Sequence, residues 1–337
     1  MTKEMPWAKW PVNEFHSLCL QNVLIGTEGK NIIVDGGVDE DNFLMTSNAI
    51  CDLGGIVGFP GAFVSDKVHS ELAADIISHR LFASASEKEV LFVMEGRKCV
   101  SVIPSVRSLL TYQETAQTAY DVMLKAYGED NFTVEVACVF PGSMTLRMLT
   151  SVEAPITRQV GDILALGVDI RQDYNDTTEV GMFTRRLSCL NGMVGTRNGF
   201  SWLSKAEGSA QHQKMWLSES IAESLGAFEH VVEKAQQMSE VRINGDAEKA
   251  LLERASAMGL GKRHHAALLA AFRAEPGSTE WHFLNAFTRL ATHGGLPGDL
   301  GDRVQVAAGE WVTNFDLCTA RLPVSLATRV GATILKD

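Results

Sequence analysis

Four cations and no carboxylate lie between Gly181 and Lys205: Arg185, Arg186, Arg197 and Lys205. Phe183, Phe200 and Trp202 interleave with them. Cations hold phosphates and aromatic rings stack bases, so a positive, ring-lined groove is what single-stranded nucleic acid requires. Arg147 and Arg171 fall on the polar side of a strand pattern described below and extend that groove if the two segments pack together. The bland counterpart is a solvated face with aromatics in the core. A second group, Asp173, Asp176 and Glu179, sits where a strand gives way to the next element. Such carboxylates either hold a divalent metal or complement a helix dipole.

Other motifs fail on spacing. Gly26-Thr27-Glu28-Gly29-Lys30 ends like a phosphate loop, but its first glycine is too close and Asn31 stands where Ser or Thr belongs. Gly54, Gly55, Gly58 and Gly61 lack the dinucleotide spacing, and with Pro60 they read as a bent loop. His293-Gly294-Gly295 has no partner G-x-S-x-G turn. His264 and His265 are adjacent and diverge on a helix. Cys19, Cys51, Cys99, Cys138, Cys189 and Cys318 form no C-x-x-C pair and read as buried reduced thiols. No cofactor or metal is expected.

The 337 residues carry 30 Lys and Arg against 41 Asp and Glu, a net charge of −11. That excludes a chain that coats duplex DNA over its whole surface, though not a local basic groove. No apolar run approaches the ~20 residues of a membrane helix. The N-terminus lacks a signal-peptide core, so a cytoplasmic protein is expected.

The elements that must position these residues follow from periodicity. A strand is expected at Asn31–Val34, a helix over Ser65–Phe82, and a hairpin from Val90–Met94 and Cys99–Ile103. Tyr112, Ala116, Tyr120, Met123 and Tyr127 recur at helical spacing, ended by Gly128. A period of two then places Phe132, Val134, Val136, Cys138 and Phe140 on one face. Met144, Leu146 and Met148, then Leu164, Leu166, Val168 and Ile170, continue it as a three-strand meander. A helix from Asp176 or Thr177 through Leu190 is expected next, stopped by Asn191-Gly192. Leu217, Ile221, Leu225, Phe228, Val232 and Ala235 predict one long amphipathic helix, and further helices follow over Asn244–Met258, Arg263–Arg273, Thr279–Ala291 and Val304–Val312. The fold class is α+β: an antiparallel meander flanked by helices, with a mainly helical C-terminal half. Residues 1–205 form the mixed region and residues 206–337 the helical one, either separate or packed on the same domain.

The segment Phe183–Gly195 resembles one signature of a phage and plasmid protein family, domain of unknown function 932: arginine, a hydrophobe, Cys and Asn-Gly after a meander. Glu280–His293 resembles its second, an aromatic followed by an Asn-Ala-hydrophobe-Thr helix. The resemblance covers roughly residues 90–320 and implies a mobile-element context, with no activity or catalytic residue to carry over. Architecture adds a second similarity, to Rad-fifty-two-type single-strand annealing proteins. Its helix, meander and basic helix would be Thr111–Tyr127, Phe132–Arg171 and Thr177–Asn191. Such proteins line a groove with that helix and assemble as rings. The leading expectation is therefore an oligomeric single-stranded DNA-binding protein without a chemical step. Arg147, Arg171, Arg185, Arg186, Arg197 and Lys205 would hold phosphates, and Phe200 or Trp202 would stack bases. The alternatives are a module that binds a host protein through helices Lys214–Ser239 and Thr279–Thr292, and a metal-dependent nuclease.

Overall fold

Residues that alternate in polarity form strands with one buried face, and the alternating segments pair as that pattern demands. The computed structural model of the protein describes residues 5–35, 42–84, 87–104, 109–140, 142–157, 162–174, 178–186, 191–194, 201–204 and 209–314. The first sheet contains β1 (Asn13–Cys19), β2 (Leu24–Glu28), β3 (Asn31–Asp35), β4 (Phe43–Met45), β5 (Glu89–Glu95) and β6 (Lys98–Pro104). Their order is β1-β5-β6-β4-β3-β2, antiparallel except where β4 lies beside β6. Between β4 and β5 run α1 (Ser47–Val57), α2 (Gly61–Lys67) and α3 (Ser70–Ser84). Leu53 and Ile77 of these helices share a core with Phe92, Met94 and Val102, while Val93, Val100 and Ile103 point the other way into a larger core. Burial on both faces explains why β5 and β6 read as unbroken apolar runs.

Two expectations change here. The glycine-rich stretch is not a bent loop; it holds α1, capped by the Thr46 hydroxyl, which accepts from the Ala49 amide at 3.3 Å. Its glycines let helices touch: a Cβ on Gly61 would lie 2.5 Å from the Cys51 Cα, and one on Gly54 2.7 Å from the Phe59 carbonyl oxygen. The single helix expected over Ser65–Phe82 is α2 and α3, interrupted by extended backbone at Val68.

The next helix, α4 (Tyr112–Tyr127), matches its pattern. A reciprocal cap closes its start, with the Glu114 amide donating to Thr111 Oγ1 at 3.1 Å and the Thr111 amide to Glu114 Oε2 at 3.0 Å. Gly128, at φ +79°, ends it.

The second sheet contains β7 (Phe132–Phe140), β8 (Ser143–Pro155), β9 (Ile163–Asp173), β10 (Thr178–Arg186), β11 (Asn191–Val194) and β12 (Ser201–Ser204). It runs β11-β10-β9-β8-β7, and β12 pairs with the first half of β10 on the edge whose second half pairs with β11. The meander is as expected, but the helix expected from Thr177 to Leu190 is strand β10, nine of whose residues pair with β9. Val180, Met182, Thr184 and Arg186 take one face; Gly181, Phe183 and Arg185 take the other. Asn191-Gly192 opens β11 and stops no helix. The order of elements attributed to annealing proteins therefore departs at its last member, a fourth strand. A register shift between Val134 and Val136 also flips the parity of β7. Val134, Ala137 and Val139 pack on the core, while Cys138 and Phe140 are exposed. Of the other thiols, Cys99 is buried and Cys19 and Cys51 half-buried; Cys189 and Cys318 lie outside the described residues.

The helical half contains α5 (Ala210–Gly226), α6 (Phe228–Glu240), α7 (Ala247–Met258), α8 (His265–Ala274), α9 (Glu280–His293) and α10 (Gly298–Asn314). One long helix was expected where α5 and α6 stand, and it breaks at Ala227. Leu217, Ile221, Val231, Leu268, Phe287 and Val304 join Leu146, Val168 and Met182 in one buried cluster, so no break in packing divides meander from helices. Among the described residues no helix is long and apolar enough to cross a membrane.

Candidate functional site

Four of the five arginines assigned to a phosphate track, Arg147, Arg171, Arg185 and Arg186, face carboxylates. Arg147 on β8 lies directly across from Asp169 on β9, which is 2% exposed, and its Nε donates to Asp169 Oδ1. Arg171 donates to the other oxygen of Asp169 at 2.7 Å. Arg147 also reaches Asp302 of α10 at 3.3 Å and lies over the Phe183 ring, 5.3 Å from its centroid. Gly167 makes room for that ring: a Cβ there would be 3.1 Å from Phe183 and 2.4 Å from the Met148 carbonyl oxygen. Burial alone would raise the Asp169 pKa, but the Arg147 and Arg171 guanidiniums outweigh it and hold the carboxyl below the usual range.

On β10, Arg185 donates to Glu135, the residue the β7 register shift leaves over. Arg186 is 4% exposed and more tightly held. Its Nε donates to Asp162 Oδ1 at 2.6 Å, and Nη1 and Nη2 donate to the two oxygens of Glu275, each at 2.6 Å. Trp281 Nε1 donates to both oxygens of Asp162, at 3.3 and 3.2 Å, and its ring lies under Arg186. His282 is next to this knot, its Nδ1 2.7 Å from the Thr279 hydroxyl. Burial pushes its pKa down; Glu275 opposes the shift and Arg186 adds to it. The knot joins the end of β10, the residue preceding β9 and the α8–α9 connection.

The expectation of uncompensated charge is thus corrected for Arg185 and Arg186, and Arg147 and Arg171, expected to extend the groove, are paired as well. The carboxylates Glu135, Asp162, Asp169, Glu275 and Asp302 come from other elements, which a count along Gly181–Lys205 does not see. Arg197, Phe200 and Lys205 lie outside the described residues, as does Asp176. Trp202 pairs its backbone with Val180, and its side chain is outside the described set. Glu179 lies across from Arg171 and Asp173 ends β9. Among the described residues no group of three or more His, Cys, Asp and Glu is placed to hold a metal ion.

Two helices are the expected interaction faces. The first, Lys214–Ser239, is α5 and α6, which expose Glu219 and Glu223 on α5 and Glu229 and Glu233 on α6. Met215, 55% exposed, continues the stripe one turn before Glu219. Lys214 turns away to Glu114 at 2.9 Å; Lys234 reaches Gln237 at 3.4 Å, and Gln237 Nε2 donates to Glu233 at 3.4 Å. The second, Thr279–Thr292, is corrected: Trp281, Phe283, Leu284, Ala286, Phe287 and Leu290 of α9 are core. In comparison with known proteins, no family model matches the chain, and neither does any curated protein or solved structure.

Proposed function

We propose that the protein is a non-catalytic docking module whose acidic α5–α6 face receives a basic protein surface. One contrast carries this reading: four of the cations that would serve nucleic acid are drawn into carboxylate pairs, while Glu219, Glu223, Glu229 and Glu233 stand outward and the chain carries −11 overall. An anionic face steers and orients a cationic partner, and a carboxylate ridge repels phosphate. The likeness of Phe183–Gly195 and Glu280–His293 to phage and plasmid proteins makes a bacterial host protein, met in the cytoplasm, the first partner to test. The purified chain is incubated with host lysate and the bound fraction examined. A basic protein in stoichiometric amount is expected, lost on changing Glu219, Glu223, Glu229 and Glu233 to Gln and kept in the Arg185→Ala variant. Salt-sensitive binding of a single-stranded oligonucleotide, abolished in the arginine variant, would instead restore the nucleic-acid reading.

A further inference from the structure

The turn between α7 and α8 is the reverse of the α5–α6 face. Lys262, Arg263, His264 and His265 follow one another there, and Lys262 and Arg263 are exposed. Arg263 Nε donates to His264 Nε2 at 2.9 Å, so two of these groups brace each other. Among the described residues neither Lys262 nor Arg263 is in an ion pair, and the same holds for Glu219, Glu223 and Glu229; Glu233 lies 4.0 Å from His230 and accepts from Gln237 Nε2 at 3.4 Å. The molecule therefore presents a compact cationic patch and a longer anionic one that do not neutralise each other within the chain.

We infer that the α5–α6 face is filled by the Lys262–His265 turn of a second copy of this chain. The inference rests on the docking reading and names an occupant for the same face. Charge complementarity argues for that occupant: the chain carries −11 overall, and the cationic turn of one copy meets the anionic face of the next. Met215 supplies an apolar contact within the stripe. Donor and acceptor patches differ, so the contact is heterologous, and each copy offers one patch to each neighbour. Assembly continues head to tail until a ring closes or a filament grows.

Sedimentation velocity tests this on the whole chain. The wild type should associate at low ionic strength, and the association should weaken about tenfold or more as the screening length shrinks towards ~3 Å in molar salt. The reversal Lys262→Glu/Arg263→Glu should give a monomer. So should Glu219→Lys/Glu223→Lys/Glu229→Lys/Glu233→Lys. Mixing the two reversed chains should restore association, because each patch then meets one of opposite sign. All these positions are exposed, and circular dichroism verifies folding. A wild type that stays monomeric at low salt, reversed chains that associate like the wild type, or a mixture that stays monomeric overturns the inference. A monomeric wild type that still captures a basic host protein through the four glutamates would leave the docking reading standing alone.

Discussion

Arg186 shows what a buried cation demands. A guanidinium taken out of water is tolerated only when its donors are filled, and here Asp162 and both oxygens of Glu275 fill them. Arg186→Met should therefore cost on the order of 3 kcal/mol or more, because Asp162 is left charged and buried beside Trp281. Urea unfolding measures it, and Arg186→Met/Asp162→Leu should recover part of the loss. Titration separates the neighbouring groups. The pKa of His282 is lower in the folded chain than in the unfolded one, so the unfolded state binds more protons below about 6.5. Stability should fall as pH drops from there through the folded value, and His282→Gln should remove that slope. Asp169 acts later: its folded pKa is depressed, so its contribution holds above the unfolded value of about 3.9 and disappears only as pH falls through the folded one. Unfolding curves at successive pH values, with and without His282, distinguish the two windows.

Glycine has opposite consequences at two places in one pair of elements. On α1 a Cβ at Gly55 meets nothing within 4 Å, so Gly55→Ala should stabilise by about 0.5–1 kcal/mol through helix propensity. At Gly61 the same methyl would meet the α1 backbone at Cys51, and Gly61→Ala should destabilise by roughly 1–3 kcal/mol. A pair of melting curves decides both. The elements also show what local spacing reveals. The repeat Tyr112, Ala116, Tyr120, Met123, Tyr127, bounded by Thr111 and Gly128, defines α4 because capping and amphipathicity are local. The hairpin β5–β6 and the strands β7–β9 were legible for the same reason. The β10 segment Thr178–Arg186 was not, since its apolar residues suit either a helix or a strand, and only nine cross-strand partners on β9 select the strand. The bulge at Glu135 has no local mark either, and it decides which face Cys138 and Phe140 occupy. The candidate site was least legible. Arg147, Arg171, Arg185 and Arg186 were recognised as cations, but Asp302 and Glu275, distant along the chain, determine what they do.

Across the whole molecule, the same ion pairs tie two halves that composition alone would separate near Lys205. Leu217 and Ile221 of α5 bury against strands β9 and β10, and Arg186 clamps the α8–α9 connection to the end of the sheet. An apolar face shared this way cannot be exposed by one half without exposing the other, and at ~25 cal/mol per Å2 even a few buried side chains make separation expensive. The second sheet and helices α5–α10 should accordingly unfold as one unit. Calorimetry should show a single transition for them, its van't Hoff and calorimetric enthalpies agreeing. In a chain ending after Ser204 the second sheet should lose its fixed packing, since Leu146, Val168 and Met182 lose their cover. Two resolved transitions for the second sheet and the helices, together with a truncated chain whose second sheet melts cooperatively, would mean that the helical half is a separate domain resting on the meander. The clamp at Arg186 would then be an interface between domains, and weakening it by Glu275→Gln would lower only one of the two transitions. In a single unit, Glu275→Gln should instead shift the whole transition without splitting it.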